Sequence, residues 1–327
     1  MCRKNMNNDV AKTKPRILFF GTPEFAFPIL AMLIKESYLV TGVITRPDEP
    51  KGRDYIITPP PIKVFAEKHN LPVFQPETLI PERWQNEIPE ADLFIVAAYG
   101  KIIPNEILTF PRLGALNIHP SLLPRWRGPS PLQYTILSGD TETGVTLMLM
   151  DERMDHGSII AQKKLSIGEK KITAQELHDT LSHLGAELLK ESLQQWLAGT
   201  ITPEMQDDTK ATYSKIIKKD DGRIDWKKPA QDLERKIRAF TPWPGAWSLW
   251  PTEKQIYRVR VESAEISDEE SPYGSPGYIW KQSKKFLLIK TGKGSLAVRR
   301  LTLGGKKAMS VAELIHGYPK LIGSTVI

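Results

Sequence analysis

Short runs that are apolar at nearly every position alternate with helix-patterned stretches over the first half of the chain, and few folds accommodate that alternation. RILFF at Arg16 to Phe20 precedes a helical pattern from Glu24 to Lys35. LVTGVIT (Leu39 to Thr45), DLFIVAAY (Asp92 to Tyr99), ALNIH (Ala115 to His119) and VTLMLM (Val145 to Met150) follow. A strand with no polar face must be covered on both sides, as in a parallel α/β sheet flanked by helices. Thr173 and Glu176 form a T-x-x-E capping box. Leu177, Leu181, Leu184, Leu188 and Trp196 then recur at roughly helical spacing until Gly199. A long amphipathic helix is therefore predicted to end the first domain.

Residues 200–213 (TITPEMQDDTKATY) are polar and aperiodic, which reads as a linker. From Tyr257 onward, YRVRVESAEI, SPYGSPGYIW, FLLIKTG and SLAVRRLTL are short and broken by Gly, Ser and Pro, the pattern of a small β-barrel. The expected organisation is a disordered tail over 1–14, an α/β domain over 15–205, and a linker with a barrel over 206–327.

Composition narrows the function classes. Cys2 is the one cysteine in 327 residues, which excludes a disulfide framework and a cysteine-rich metal site and fits a reducing, cytoplasmic setting. No uninterrupted apolar run approaches the roughly 20 residues of a membrane span, and the opening residues lack the apolar stretch of a secretory leader. H-E-x-x-H is absent, and His178 and His183 are spaced off a common helix face, so no metal is expected. The net charge of +7 is uneven: residues 1–200 hold 22 Lys+Arg against 23 Asp+Glu, or −1, and residues 201–327 hold 23 against 15, or +8. A basic second domain suits a polyanionic partner, although a solvated basic surface gives the same count.

The turn Gly21-Thr22-Pro23-Glu24 is not G-x-G-x-x-G, and Pro23 has no N–H to offer a phosphate. It reads as a tight strand-to-helix turn and disfavours a nicotinamide enzyme. The informative stretch is NIHPSLLP, Asn117 to Pro124. On a strand, Asn117 and His119 face one side and Ile118 the other, which brings two polar groups together at the carboxyl edge, where open sheets bind ligands. The following SLLP offers an apolar lip for a flat ring system. After the next strand, DERMDHG (Asp151 to Gly157) is a loop of ionisable groups from which Asp155 could reach back. An Asn that donates to an oxyanion, a His that exchanges protons and an Asp that orients it suffice for acyl transfer to an amine without a nucleophilic side chain. On the residues alone, a purely structural His119 is an equal reading.

NIHPSLLP followed by MDHG, with Asn117 and Asp155 38 positions apart, resembles the folate-dependent formyltransferase family, as does AAYGKIIP at residues 97–104. Similarity to the members that act on charged initiator tRNA runs through RILFFGTPEFA, RPDEPKGR, PVFQPETL, SLLPRWRG, ATYSKIIKKDDGRIDW, IRAFTPWPGAW and GGKKAM. The resemblance implies a Rossmann-like catalytic domain with an open parallel or mixed sheet, followed by a barrel of oligonucleotide-binding (OB-like) type. It implies transfer of a formyl group from 10-formyltetrahydrofolate to the α-amine of methionine on initiator tRNA, with Asn117, His119 and Asp155 catalytic. The implied pterin pocket is walled by Tyr99, Gly100, Lys101, Ile102 and Ile103 and by Ser121, Leu122, Leu123 and Pro124.

Arg53 matches a position that in the family handles the aminoacyl end of the tRNA. Phosphate contacts are expected from Lys281, Lys284, Lys285, Lys290, Lys293, Arg299, Arg300, Lys306 and Lys307. Asp54 to Pro59 departs from the family, many of whose members carry extra basic residues there. Trp243, Trp247 and Trp250 read as packing rather than as a base-stacking platform. A monomer is expected, leaving both surfaces open to a large substrate. The alternatives are a formyltransferase acting on an amino-sugar nucleotide and a non-catalytic RNA-binding protein on an old enzyme fold.

Overall fold

The run Arg16–Gly21 forms β1, whose residues from Ile17 to Phe20 are wholly buried, as an all-apolar strand in the middle of a sheet must be. The structure is a computed structural model that describes residues 14–52, 54–168, 170–271, 273–283 and 285–327. The expected tail therefore lies, apart from Lys14, outside the described residues.

The chain groups into two compact units. In the first, β1 is followed by α1 (Phe27–Lys35), β2 (Leu39–Ile44), a hairpin of β3 (Glu49–Lys51) and β4 (Ile56–Thr58), α2 (Pro61–Lys68), β5 (Val73–Phe74), α3 (Pro81–Glu87), β6 (Leu93–Ala97), α4 (Asn105–Leu108) and β7 (Ala115–His119). α5 (Pro131–Ser138) belongs to the second unit, and the first continues with β8 (Glu142–Leu149), β9 (Ile159–Ser166) and most of the long α6 (Ala174–Leu197). The strands form one seven-stranded sheet in the order β5-β2-β1-β6-β7-β8-β9. The five from β5 to β7 run parallel, and β8 is antiparallel to β7. The chain builds outward from β1 to β5 and then restarts at β6 on the other flank. The reversal lies between β1 and β6, where Gly21 pairs with Ala97, and the carboxyl ends there are the crevice position at which open sheets bind ligands.

The expected capping box is formed: Glu176 accepts from the Thr173 N–H at 2.8 Å, and the Glu176 N–H reaches Thr173 Oγ1 at 3.3 Å. Gly199, at φ +67°, ends the run past α6. Gly185 lets α6 lie close to β7, since a Cβ there would stand 2.8 Å from Ile118 Cγ2. β9 was not expected, because it buries little on one face and its lysines mask the pattern.

The second unit comprises residues 128–143, 166–177 and 214–327. Its strands are β10 (Ala246–Pro251), β11 (Ile256–Ser267), β12 (Ile279–Gln282), β13 (Leu287–Lys290), β14 (Ser295–Leu303) and β15 (Ala308–Ser310). They run β10-β11-β14-β13-β12 with β15 on β14, every pairing antiparallel, as a curled half-barrel. Trp226, Trp250, Val259, Leu287, Leu296 and Leu301 fill its core beneath α7 (Ala230–Ala239) and α8 (Val311–Gly317).

Residues 206–213, expected to belong to a linker, group with the α/β unit, and the two units alternate along the chain, 128–143 and 166–177 grouping with 214–327. Polar side chains make those contacts, and hydrophobic periodicity does not register them. Of the three tryptophans, Trp250 packs as expected, but Trp247 is half-buried under the Arg258 guanidinium, 3.9 Å from its ring centre, and Trp243 is 55% exposed.

Candidate active site

β7 ends at the crevice and sets the first two groups. Its pairing with β6 on one side and β8 on the other places Asn117 opposite Val96 and Met148, and His119 opposite Thr146. Ile118 is buried toward α6, as alternation requires. Among the described residues the Asn117 side-chain amide makes no hydrogen bond, and the residue is half-buried.

His119 is 4% exposed, and its Nε2 stands 3.0 Å from the Trp126 carbonyl oxygen. A carbonyl only accepts, so Nε2 is the ring nitrogen that donates, and Nδ1 is the one left to face the loop after β8. That Nδ1 lies 3.5 Å from Asp155 Oδ1. A ring nitrogen and a carboxylate oxygen therefore face each other within reach of a shared proton.

Asp155 reaches this point from the loop after β8, with φ at +50°, a conformation that a non-glycine residue keeps only when its surroundings enforce it. They do so at several points. The Leu149 N–H donates to the Ser158 carbonyl at 2.9 Å. The Gln206 amide donates to the carbonyls of Asp155 and Gly157 at 2.9 and 2.8 Å. His156 Nδ1 bonds Asp151 at 2.6 Å, and its Nε2 contacts Arg153 and faces Asp208 at 3.5 Å.

The turn after His119 is equally fixed. Thr146 Oγ1 donates to the Ser121 carbonyl at 2.7 Å and accepts from the Leu123 N–H at 3.1 Å, while Gln162 donates to the Leu123 carbonyl at 2.9 Å.

The residues expected to wall the pterin pocket divide between core and surface. Tyr99 is 2% exposed, meets Phe20 edge-on at 5.4 Å, and its hydroxyl finds no partner among the described residues. Burial pushes its phenol up to about 12. Tyr99 is thus a core residue, and its carbonyl accepts from Thr22 Oγ1 at 2.7 Å. Ile103 and Leu123 also pack inward. Ser121 is buried and donates to the Arg125 carbonyl at 2.6 Å. The Lys101 ammonium is tied to the carbonyls of Pro76 and Glu77 at 3.2 and 2.7 Å. Burial, with Arg46 close by, holds its pKa below the usual lysine range. What remains toward solvent is Ile102, 82% exposed, beside side-chain-free Gly100, with half-buried Leu122 and Pro124 leaving the adjacent strand end. An apolar face of this kind fits a flat ring.

The basic residues also sort themselves. Arg53 and Lys284 lie outside the described residues, and Lys281 is described only as backbone in β12. Lys290 donates to the carbonyls of Ser271 and Tyr273 at 3.0 and 3.4 Å, and Arg299 is paired with Glu265 at 2.7 Å. A register break in β11 and β14 leaves Arg299 without a cross-strand partner, so Arg299 and Arg300 are both exposed. Lys285, Lys293, Lys306 and Lys307 are exposed as well. On the β3/β4 hairpin Tyr55, Ile56 and Ile57 are exposed instead of bases. Among the described residues no cluster of His, Cys, Asp and Glu could hold a metal ion, and no helix is long and apolar enough to cross a membrane.

A site of this kind needs its acyl group delivered already activated and its amine delivered free, which is the chemistry of an acyl-group transferase. Residues 15–193 match the family model described as formyl transferase, and residues 216–319 match the formyl transferase C-terminal domain. The chain belongs to the formyl transferase family. It is similar to a methionyl-tRNA formyltransferase of Geobacter metallireducens, 41% identical over 304 residues covering 92% of this chain and 95% of the relative. A methionyl-tRNA formyltransferase of Citrifermentans bemidjiense is 43% identical over 309 residues, 94% of each. Among solved structures, HypX from Aquifex aeolicus in complex with tetrahydrofolic acid superposes with a TM-score of 0.63 at 19% identity, over 95% of this chain and 48% of that one, a likeness of fold.

Proposed function

We propose that the chain transfers the formyl group of 10-formyltetrahydrofolate to the α-amine of methionine on initiator tRNA, acting in the cytoplasm as a monomer. The observation that carries this reading is the meeting of His119 Nδ1 and Asp155 Oδ1 at 3.5 Å beside the uncommitted amide of Asn117. The curated relatives supply the acceptor, since by name they act on methionyl-tRNA.

The folate supplies an activated formyl carbon, and its pterin suits the apolar face of Ile102, Leu122 and Pro124. Asn117 donates its amide N–H to the formyl oxygen as negative charge develops there. The new bond joins the methionine nitrogen to the formyl carbon, and the bond from that carbon to the folate nitrogen breaks. His119 Nδ1 takes the proton released by the amine, with Asp155 balancing the imidazolium, and the proton passes to the departing folate nitrogen. No serine or cysteine is acylated.

The experiment is formylation by the purified protein with 10-formyltetrahydrofolate. Methionyl-tRNA should accept the formyl group and an amino-sugar nucleotide should not; the reverse preference would replace this reading with the sugar one, and no transfer to any amine would revive a non-catalytic RNA-binding role.

The second unit is assigned to tRNA through its phosphate charge. Neutralising Arg300, Lys306 and Lys307 together should weaken tRNA binding and lower the salt slope by about three. Arg299→Gln should change it less, because Arg299 is already paired with Glu265. Salt dependence measured by filter binding checks both, and an unchanged slope in the triple variant would remove these residues from the interface.

A further inference from the structure

Two residues beside the catalytic pair hold left-handed backbone without being glycine: Trp126 at φ +59° and Asp155 at φ +50°. Trp126 supplies the carbonyl that fixes His119, and Asp155 faces His119 from the other side. Conformations of this kind persist only where neighbouring contacts over-determine them. Each receives contacts from one short segment of the same unit, residues 206–213.

Gln206 spans one end. Its amide nitrogen donates to the carbonyls of Asp155 and Gly157 at 2.9 and 2.8 Å, while its oxygen accepts from Arg127 Nε at 3.0 Å. Thr212 spans the other. Its Oγ1 accepts from the Trp126 N–H at 2.9 Å, its carbonyl accepts from the Arg127 N–H at 2.9 Å, and its own N–H donates to the Pro124 carbonyl at 3.2 Å. Arg127, with 2% of its side chain exposed, joins the ends through Gln206, Asp208 at 2.8 Å and the Tyr213 hydroxyl at 3.3 Å.

We propose that residues 206–213 are the positioning brace of the catalytic pair, Gln206 holding Asp155 and Thr212 holding His119 through Trp126. Gln206 and Thr212 act through the backbone of Asp155 and Trp126, and a misplacement of about 1 Å at a catalytic group costs roughly 100-fold in rate. The inference rests on the formyl-transfer reading above.

Gln206→Glu keeps the shape, keeps an acceptor for Arg127 and removes both donors to the loop. Its kcat should fall roughly 100-fold with the KM for methionyl-tRNA and for folate unchanged. In an Asp155→Asn background, where the positioned carboxylate is already gone, the same change should cost no more than about threefold. Thr212→Val should make His119 lose its single Nε2–H tautomer in imidazole ¹⁵N NMR, and Thr212→Ser should restore it. That readout stands without any activity, and it carries the test should Gln206→Glu not fold. A Gln206→Glu loss equally large with and without Asp155, no loss at all, or an unaltered His119 tautomer in Thr212→Val would each overturn the brace. A wild-type protein inactive on every amine would instead overturn the functional reading.

Discussion

Asn117→Ala is expected to lower kcat roughly 100- to 1000-fold while leaving the affinity for charged tRNA unchanged, the penalty of removing one pre-aimed oxyanion donor from a shielded site. The asymmetry follows from where the amide sits. Asn117 lies on the polar side of β7, two residues before His119, and is held by backbone pairing to β6 and β8 rather than by its side chain. Among the described residues its amide has no hydrogen-bond partner, and it gains a strong one only when the formyl oxygen becomes charged. An interaction made mainly in the transition state appears in kcat and little in KM. Single-turnover formylation with saturating folate, together with tRNA binding by titration, checks both halves. An unchanged single-turnover rate would remove Asn117 from the chemistry.

Gly157→Ala should be nearly as damaging, for a steric reason. A Cβ at position 157 would stand 1.8 Å from the Leu149 carbonyl oxygen and 2.9 Å from its carbon. Both are backbone atoms of β8, which pairs with β7 and cannot retreat. The loop must lift, which strains the Gln206 bonds to residues 155 and 157 and carries Asp155 away from His119. Overpacking of this sort costs about 1–3 kcal/mol, and the displaced carboxylate adds a rate loss of roughly 100-fold. Urea unfolding and kcat measured side by side should show both. A variant with native stability and native kcat would mean that the loop is not wedged against β8.

The pairing of Asn117 with His119 was legible because β7 obeys a rule with period two: the two share a side whatever the rest of the fold does. Asp155 was not legible that way. No periodicity ties a loop carboxylate to a strand 38 positions earlier, and only the family spacing pointed to it. For the proposed pocket wall, AAYGKIIP singles out a stretch of chain, yet a string of letters does not say that Tyr99 and Ile103 turn into the core while Ile102 turns out. The basic count located the second unit's charge but not its pairing, and Glu265 and the carbonyls of Ser271 and Tyr273 already occupy Arg299 and Lys290. Least legible was the segment 206–213. Its contacts run from single polar side chains to main-chain carbonyls and N–H groups, so it has the composition of a linker while it holds the site together.

The most direct measurement follows a labelled formyl group through one turnover, with enzyme in excess over 10-formyltetrahydrofolate and methionyl-tRNA present. Direct attack at Asn117, His119 and Asp155 predicts label on the methionine amine at the rate of folate release, with none on the protein at any quench time. Label accumulating on the protein before it reaches the tRNA, or folate release without formylmethionyl-tRNA, would contradict it.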